Sequence, residues 1–157
     1  MMNIRRKIRE ILDGINNLFE WAPTIYNDRQ YDYAFIYDIL KKKLELQAKY
    51  TKDVSHHERN MIDYQKMMTC VRMIKIVRDE DYIDEVVFID IDDTKEFDKY
   101  LNRHKASVHK VLLDKKLQLF PCENSKNIAY NVAQYKHNRA RKVLFELIST
   151  HINYWWD

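Results

Sequence analysis

The chain has 157 residues, 46% of them hydrophobic and 32% charged, and its 27 Lys and Arg against 24 Asp and Glu give a formal net charge of +3. That is enough apolar matter for one core and too much for a disordered tail, and the charge is far from a one-sided nucleic-acid coat. Glycine occurs once, at Gly14, where average usage of about 7% would give roughly eleven, so glycine-rich phosphate loops are absent and many-stranded sandwiches and barrels are disfavoured.

Ile4, Ile8, Ile11, Leu12, Ile15, Leu18 and Phe19 recur at three- and four-residue steps. They predict an amphipathic helix ending near Trp21-Ala22-Pro23, where proline cannot donate a helical hydrogen bond. A second helix is predicted from about residue 28 or 32 to Tyr50, with Tyr33, Tyr37, Leu40, Leu44 and Ala48 on one face and Ile36 and Ile39 widening it. Ser55 and Glu58 have the spacing of a capping box, opening a third helix with Met61, Tyr64, Met68, Val71 and Ile74 inward. From Tyr82 to Asp93 the helical period fails. Val86-Val87-Phe88-Ile89 is β-like between acidic flanks, so residues 84–92 read as a short extended segment or linker.

Thr94 suits the cap of a fourth helix through about Leu113, carrying Phe97, Tyr100, Leu101, Val108, Val111 and Leu112. Lys115 to Ser125, with Pro121, reads as a loop. The last helix starts near Asn124 or Ser125 and keeps its period through Ile128, Val132, Tyr135, Val143, Leu147 and Ile148 to Trp155, a length of roughly 45 Å. The expectation is an all-α, single-domain bundle of about five helices over residues 1–157. Its long C-terminal helix either spans the domain or enters a subunit interface.

No apolar run approaches the roughly 20 residues of a membrane span, and the charged N-terminus lacks the apolar centre of a signal peptide. Cys70 and Cys122 have no metal-like spacing and suit a reducing compartment. The reading is a cytoplasmic protein with no membrane partner and no cofactor.

Four constellations bear on chemistry. Asp90-Ile91-Asp92-Asp93-Thr94, after an apolar run, resembles the D-x-D-x-T signature of haloacid-dehalogenase-type phosphatases. The resemblance implies Asp90 as nucleophile and Asp92 as general acid, with Mg²⁺ offsetting their charge. That family needs parallel strands where this chain reads as helices, so the preferred reading makes these residues helix caps and the chain not an enzyme. His56-His57-Glu58, near Asp53 and Asp63, holds adjacent imidazoles that point about 100° apart on a helix, so capping and surface roles are preferred to a metal site.

The third constellation is Lys136-His137-Asn138-Arg139-Ala140-Arg141-Lys142. Arg139 continues the line of Ile128, Val132, Tyr135 and Val143, which predicts a guanidinium set into an apolar face and needing an anion. The anion is either a carboxylate from the acidic stretch Asp79 to Asp98, the preferred reading, or a ligand phosphate or carboxylate. Arg139, Arg141, His137, Lys136, Lys142 and Tyr135 are the candidate ligand residues, with nearby tyrosines able to stack on a base. Last, the chain ends Tyr154-Trp155-Trp156-Asp157, a pair of indoles costly to leave in water. These predict docking on a partner subunit or on the first helix, hence a homo-oligomer.

The stretch Lys136-His137-Asn138-Arg139-Ala140-Arg141 through Leu144-Phe145 to Trp155-Trp156-Asp157 resembles the ending of a group of small, mostly helical bacteriophage proteins. Tyr31-Asp32-Tyr33 to Lys43 and His56-His57-Glu58 to Asp81-Tyr82 are similar to that group's front half. The resemblance implies a phage protein of the infected host cytoplasm that acts by binding, as anti-defence factors do. The leading expectation is sequestration of an anionic small molecule, such as a nucleotide immune signal. The alternative is a protein–protein interaction or structural module docking on a host or virion protein.

Overall fold

The computed structural model describes residues 4–26, 33–54, 58–90 and 92–155, without the side chains of residues 5, 54, 58 and 59. Among these, all regular structure is helical: α1 (Ile4–Tyr26), α2 (Ala34–Val54), α3 (Glu58–Arg78), α4 (Asp81–Val87), α5 (Thr94–Arg103), α6 (Lys105–Leu113), a 3-10 turn (Lys115–Leu117) and α7 (Ser125–Trp155). The chain forms two compact units, Met1–Lys43 and Leu44–Asp157. The capping box and the His56-His57 pair lie outside the described residues.

In the first unit α1 runs through Pro23 to Tyr26, three residues past its predicted end. A proline there forfeits its own hydrogen bond and crowds the carbonyl of Phe19, a cost met in the last turns of an exposed helix, where water can serve that carbonyl. Arg6 pairs with Glu10 one turn on at 2.9 Å, and Lys42 of α2 pairs with Glu20. The apolar face of α1 stays in solvent: Ile4, Ile11, Leu18 and Phe19 are 74%, 61%, 71% and 75% exposed. Gly14 sits mid-helix with no positive φ, and a Cβ placed on it would meet nothing within 4 Å.

In the second unit α7 is the common wall against which α3, α4, α5 and α6 each pack. Its first half closes a core of Val86, Phe97, Tyr100, Val111, Ala129, Val132 and Ala133, with Ile89, Leu101, Val108 and Tyr135 packed around it. The alanines let neighbouring helices come close. Along α3 the buried side chains are Met67, Cys70, Val71, Ile74 and Val77, whereas Met61 is exposed. The inner face is thus rotated from the predicted one, which began on Met61.

Residues 84–87 are helical and not extended. Asp81 and Asp84 stand in the first turn of α4, where the helix dipole favours negative charge, and Val86 is fully buried in the core. Burial overrides the weak β-preference of the valines. The predicted fourth helix is broken at His104 (φ −115°, ψ 31°) into α5 and α6. Asp93, one residue before the predicted cap, accepts hydrogen bonds from the Lys95 and Glu96 amides, both at 3.1 Å. Asn124 accepts from the Asn127 amide at 2.8 Å and opens α7.

The loop before α7 is held by one buried side chain. Asn131 accepts from the Leu119 and Phe120 amides at 2.8 and 3.0 Å and donates to the Phe120 carbonyl at 2.8 Å. It therefore satisfies the polar groups of a non-helical backbone from the side.

Gly14→Ala removes backbone entropy from the unfolded chain at a helical position with open space around it. It is expected to raise the helical content of α1 and stabilise it by about 0.5–1 kcal/mol, read by circular dichroism during thermal melting.

Candidate functional site

The basic stretch of α7 is divided by the fold. The buried line of the helix runs through Ala129, Ala133, His137, Leu144, Ile148 and Trp155. Arg139 lies roughly 130° round from that line at 100° per residue and is exposed, as is Val143, so the predicted guanidinium on an apolar face is not there. Two apolar lines were legible on this helix. The signal that separates them is the spacing of Ala129, Ala133 and Ala140, small residues where α7 meets its neighbours.

The cation drawn inward is Lys136. Its ammonium lies 3.3 Å from Glu85 Oε2 and 3.2 Å from His104 Nε2, and 4.4 Å from the centre of the Tyr82 ring. Three elements meet at it: α4 supplies Tyr82 and Glu85, the α5–α6 break supplies His104, and α7 supplies the lysine. The break carries the imidazole to this point, where it packs on Tyr100 with ring centres 4.6 Å apart. An ammonium only donates, so His104 Nε2 accepts and its proton sits on Nδ1. Burial, followed by the field of Lys136, pushes the His104 pKa down, against the smaller upward pull of Glu85. The carboxylate from the acidic stretch is thus present, but its partner is Lys136. The donors of that lysine are taken up within the chain by a carboxylate, a ring nitrogen and a π-face.

Tyr100 is fully buried and its hydroxyl has no hydrogen-bond partner among the described residues; burial raises its pKa well above the ordinary phenol value. His137 is also buried, with Nδ1 unpartnered among the described residues, and burial lowers its pKa, aided by Arg141 and opposed by Glu80. Tyr135 is half-buried against the core. Arg139 and Arg141 are exposed and form no hydrogen bond or ion pair among the described residues, while Lys142 stands 3.7 Å from Glu146.

Trp155 is buried inside its own unit, where its carbonyl accepts from Gln47 Nε2 at 2.7 Å and its ring stacks on His151. Tyr154 is exposed, and Trp156 lies outside the described residues. Asp90 accepts weakly from the Asp92 amide at 3.3 Å, in a turn that follows a helix where the phosphatase signature follows a strand. No group of three potential metal ligands occurs among the described residues.

Two open grooves line the second unit. One, about 460 Å³, is bordered by Asp98, Leu101, Asn102, Lys105, Val108 and His109. The other, about 400 Å³, is bordered by Glu45, Lys49, Lys52, Asp53, Tyr64 and Met68. Neither contains Arg139 or Arg141. A separate surface feature is the apolar face of α1, where Ile4, Ile8, Ile11, Leu12, Ile15, Leu18 and Phe19 are exposed. No family model matches this chain, and no curated protein and no solved structure matches it either.

His104 and His137 both hold their protons less tightly folded than unfolded. The unfolded chain therefore gains protons first on acidification, so their stabilising contribution is complete above about pH 6.5 and is lost as pH falls below it. The midpoint of thermal unfolding is expected to fall between about pH 7 and pH 5, and less steeply in His104→Gln. Parallel profiles for the two proteins would contradict this.

Proposed function

We propose that this chain is an interaction module that works by association, with the apolar face of α1 as its docking element. The observation carrying this reading is that Ile4, Ile8, Ile11, Leu12, Ile15, Leu18 and Phe19 form one continuous stripe on a 23-residue helix and are each at least 43% exposed. Full burial of such a side chain contributes about 1.5–3 kcal/mol, so a stripe of seven left in water is a strong drive toward a partner surface. The rest of the chain is consistent with that role: Lys136 and Trp155 are occupied internally, and the second unit buries its own core.

The test uses the full chain and the pair Ile8→Glu with Ile15→Glu. Wild type is expected either to bind an apolar fluorescent dye or to sediment heavier than one chain. The double variant does neither and keeps its far-ultraviolet circular dichroism. A wild type that shows neither property overturns the reading.

A second reading, sequestration of an anionic small molecule such as a nucleotide signal in a phage-infected cell, is favoured by one observation. Arg139 and Arg141 stand on a rigid helix with no anion paired to them among the described residues. Guanidinium groups of that kind bind phosphate bidentately. Calorimetry against cyclic and ADP-ribose-type nucleotides is expected to give heat that Arg139→Ala with Arg141→Ala abolishes. Absence of heat across the panel would sink it.

A further inference from the structure

We propose that the occupant of the α1 face is a second copy of the same helix, paired antiparallel; this rests on the docking role of α1 given above. Three features lead to it. The first is period. Ile4, Ile8, Ile11, Ile15, Leu18, Ala22 and Ile25 alternate steps of four and three without a slip, which supplies the seam that a two-helix coiled coil requires. Leu12 and Phe19 flank that seam and remain 54% and 75% exposed.

The second is area. The seven large apolar side chains of the paired layers and their flank, each covered over roughly 80 Å², bury on the order of 550 Å² per copy and about 1,100 Å² for the pair, within the range of a specific interface. A single α1 face therefore has the extent that a self-pair requires, with no further surface.

The third is charge, and it sets the direction. Arg5, Arg6, Lys7 and Arg9 crowd the start of α1, and its later turns carry Glu10, Asp13 and Glu20 with no cation. There is no acidic residue in the first turn, so the basic side chains there oppose the helix dipole, and no basic residue in the last turn offsets it. Alone, this is an unfavourable arrangement. A parallel pair would make it worse by bringing the two basic ends together. An antiparallel pair lays each basic end along the acid-bearing half of its partner and sets the two dipoles head to tail.

The seam then fixes the register. Ile11 of one copy meets Ile15 of the other, Ile8 meets Leu18, and Ile4 meets Ala22, with Leu12 facing its own equivalent beside the two-fold axis. The contact is isologous and closed, so it yields a dimer and no longer assembly. Pro23 falls just beyond the last of these layers, where its missing hydrogen bond does not disturb the seam.

Sedimentation velocity of the full chain at micromolar concentration is expected to give a particle of two chains, and Ile8→Glu with Ile15→Glu a particle of one. Direction is read by oxidative cross-linking in a Cys122→Ser background, which leaves only the buried Cys70 as native thiol. Leu12→Cys is expected to link to itself, whereas Lys7→Cys, near one end, is not. Equal linking at both positions overturns the antiparallel pair, as does a particle of three or more chains. A wild type that stays monomeric but binds an apolar dye through α1 overturns self-pairing and leaves the docking reading standing. A monomer that binds no dye overturns both.

Discussion

The second unit is organised around a charge taken most of the way out of water. Desolvating the Lys136 ammonium is unfavourable by several kcal/mol unless its donors are met. They are met by groups from two other segments, Glu85 at 3.3 Å and His104 at 3.2 Å. That requirement couples the local structures. α4 must be a helix for Tyr82 and Glu85 to share one side of it, three residues apart. The break between α5 and α6 falls where an imidazole is delivered to the lysine. Apolar packing on the alanine line of α7 stabilises the unit, but it tolerates sliding; the ion pair and its histidine select one register of α4 and α5 along α7.

Much of this architecture was legible in the sequence because periodicity survives wherever one helix face is apolar. The all-helical class, the thirty-residue last helix and its start at Asn124 follow from spacing and capping alone. The misreadings share a cause: the local signal was real but was outweighed by burial elsewhere. Val86-Val87 reads as β, yet Val86 fills a core that only a helix can reach. His104 gives no breaker signal of its own, since its kink is imposed by contacts distant in sequence. On α7 two apolar lines competed, and the choice between them turned on which neighbours would pack there, so Arg139 lies in solvent and His137, on the line of Leu144 and Ile148, is buried.

The face of α1 presents the converse case. Its period predicts an amphipathic helix, and such a helix usually has a core to join. The side chains are in solvent, and it is on that exposure that the proposed association rests. A heptad pattern and a core-facing helix differ by only about 0.1 residue per turn.

One residue joins the scarcity of glycine to the electrostatics of the interior. The turn between α3 and α4 needs a left-handed backbone, and the chain fills it with Glu80 at φ 52°, the sole non-glycine residue with positive φ among those described. A side chain in that conformation costs roughly 1–2 kcal/mol, which glycine would avoid. Glycine, however, has no carboxylate, and the negative charge of Glu80 acts on the buried His137 imidazole in opposition to Arg141. A sequence with a single glycine thus places its left-handed corner on a charged side chain, at the junction of α3 and α4.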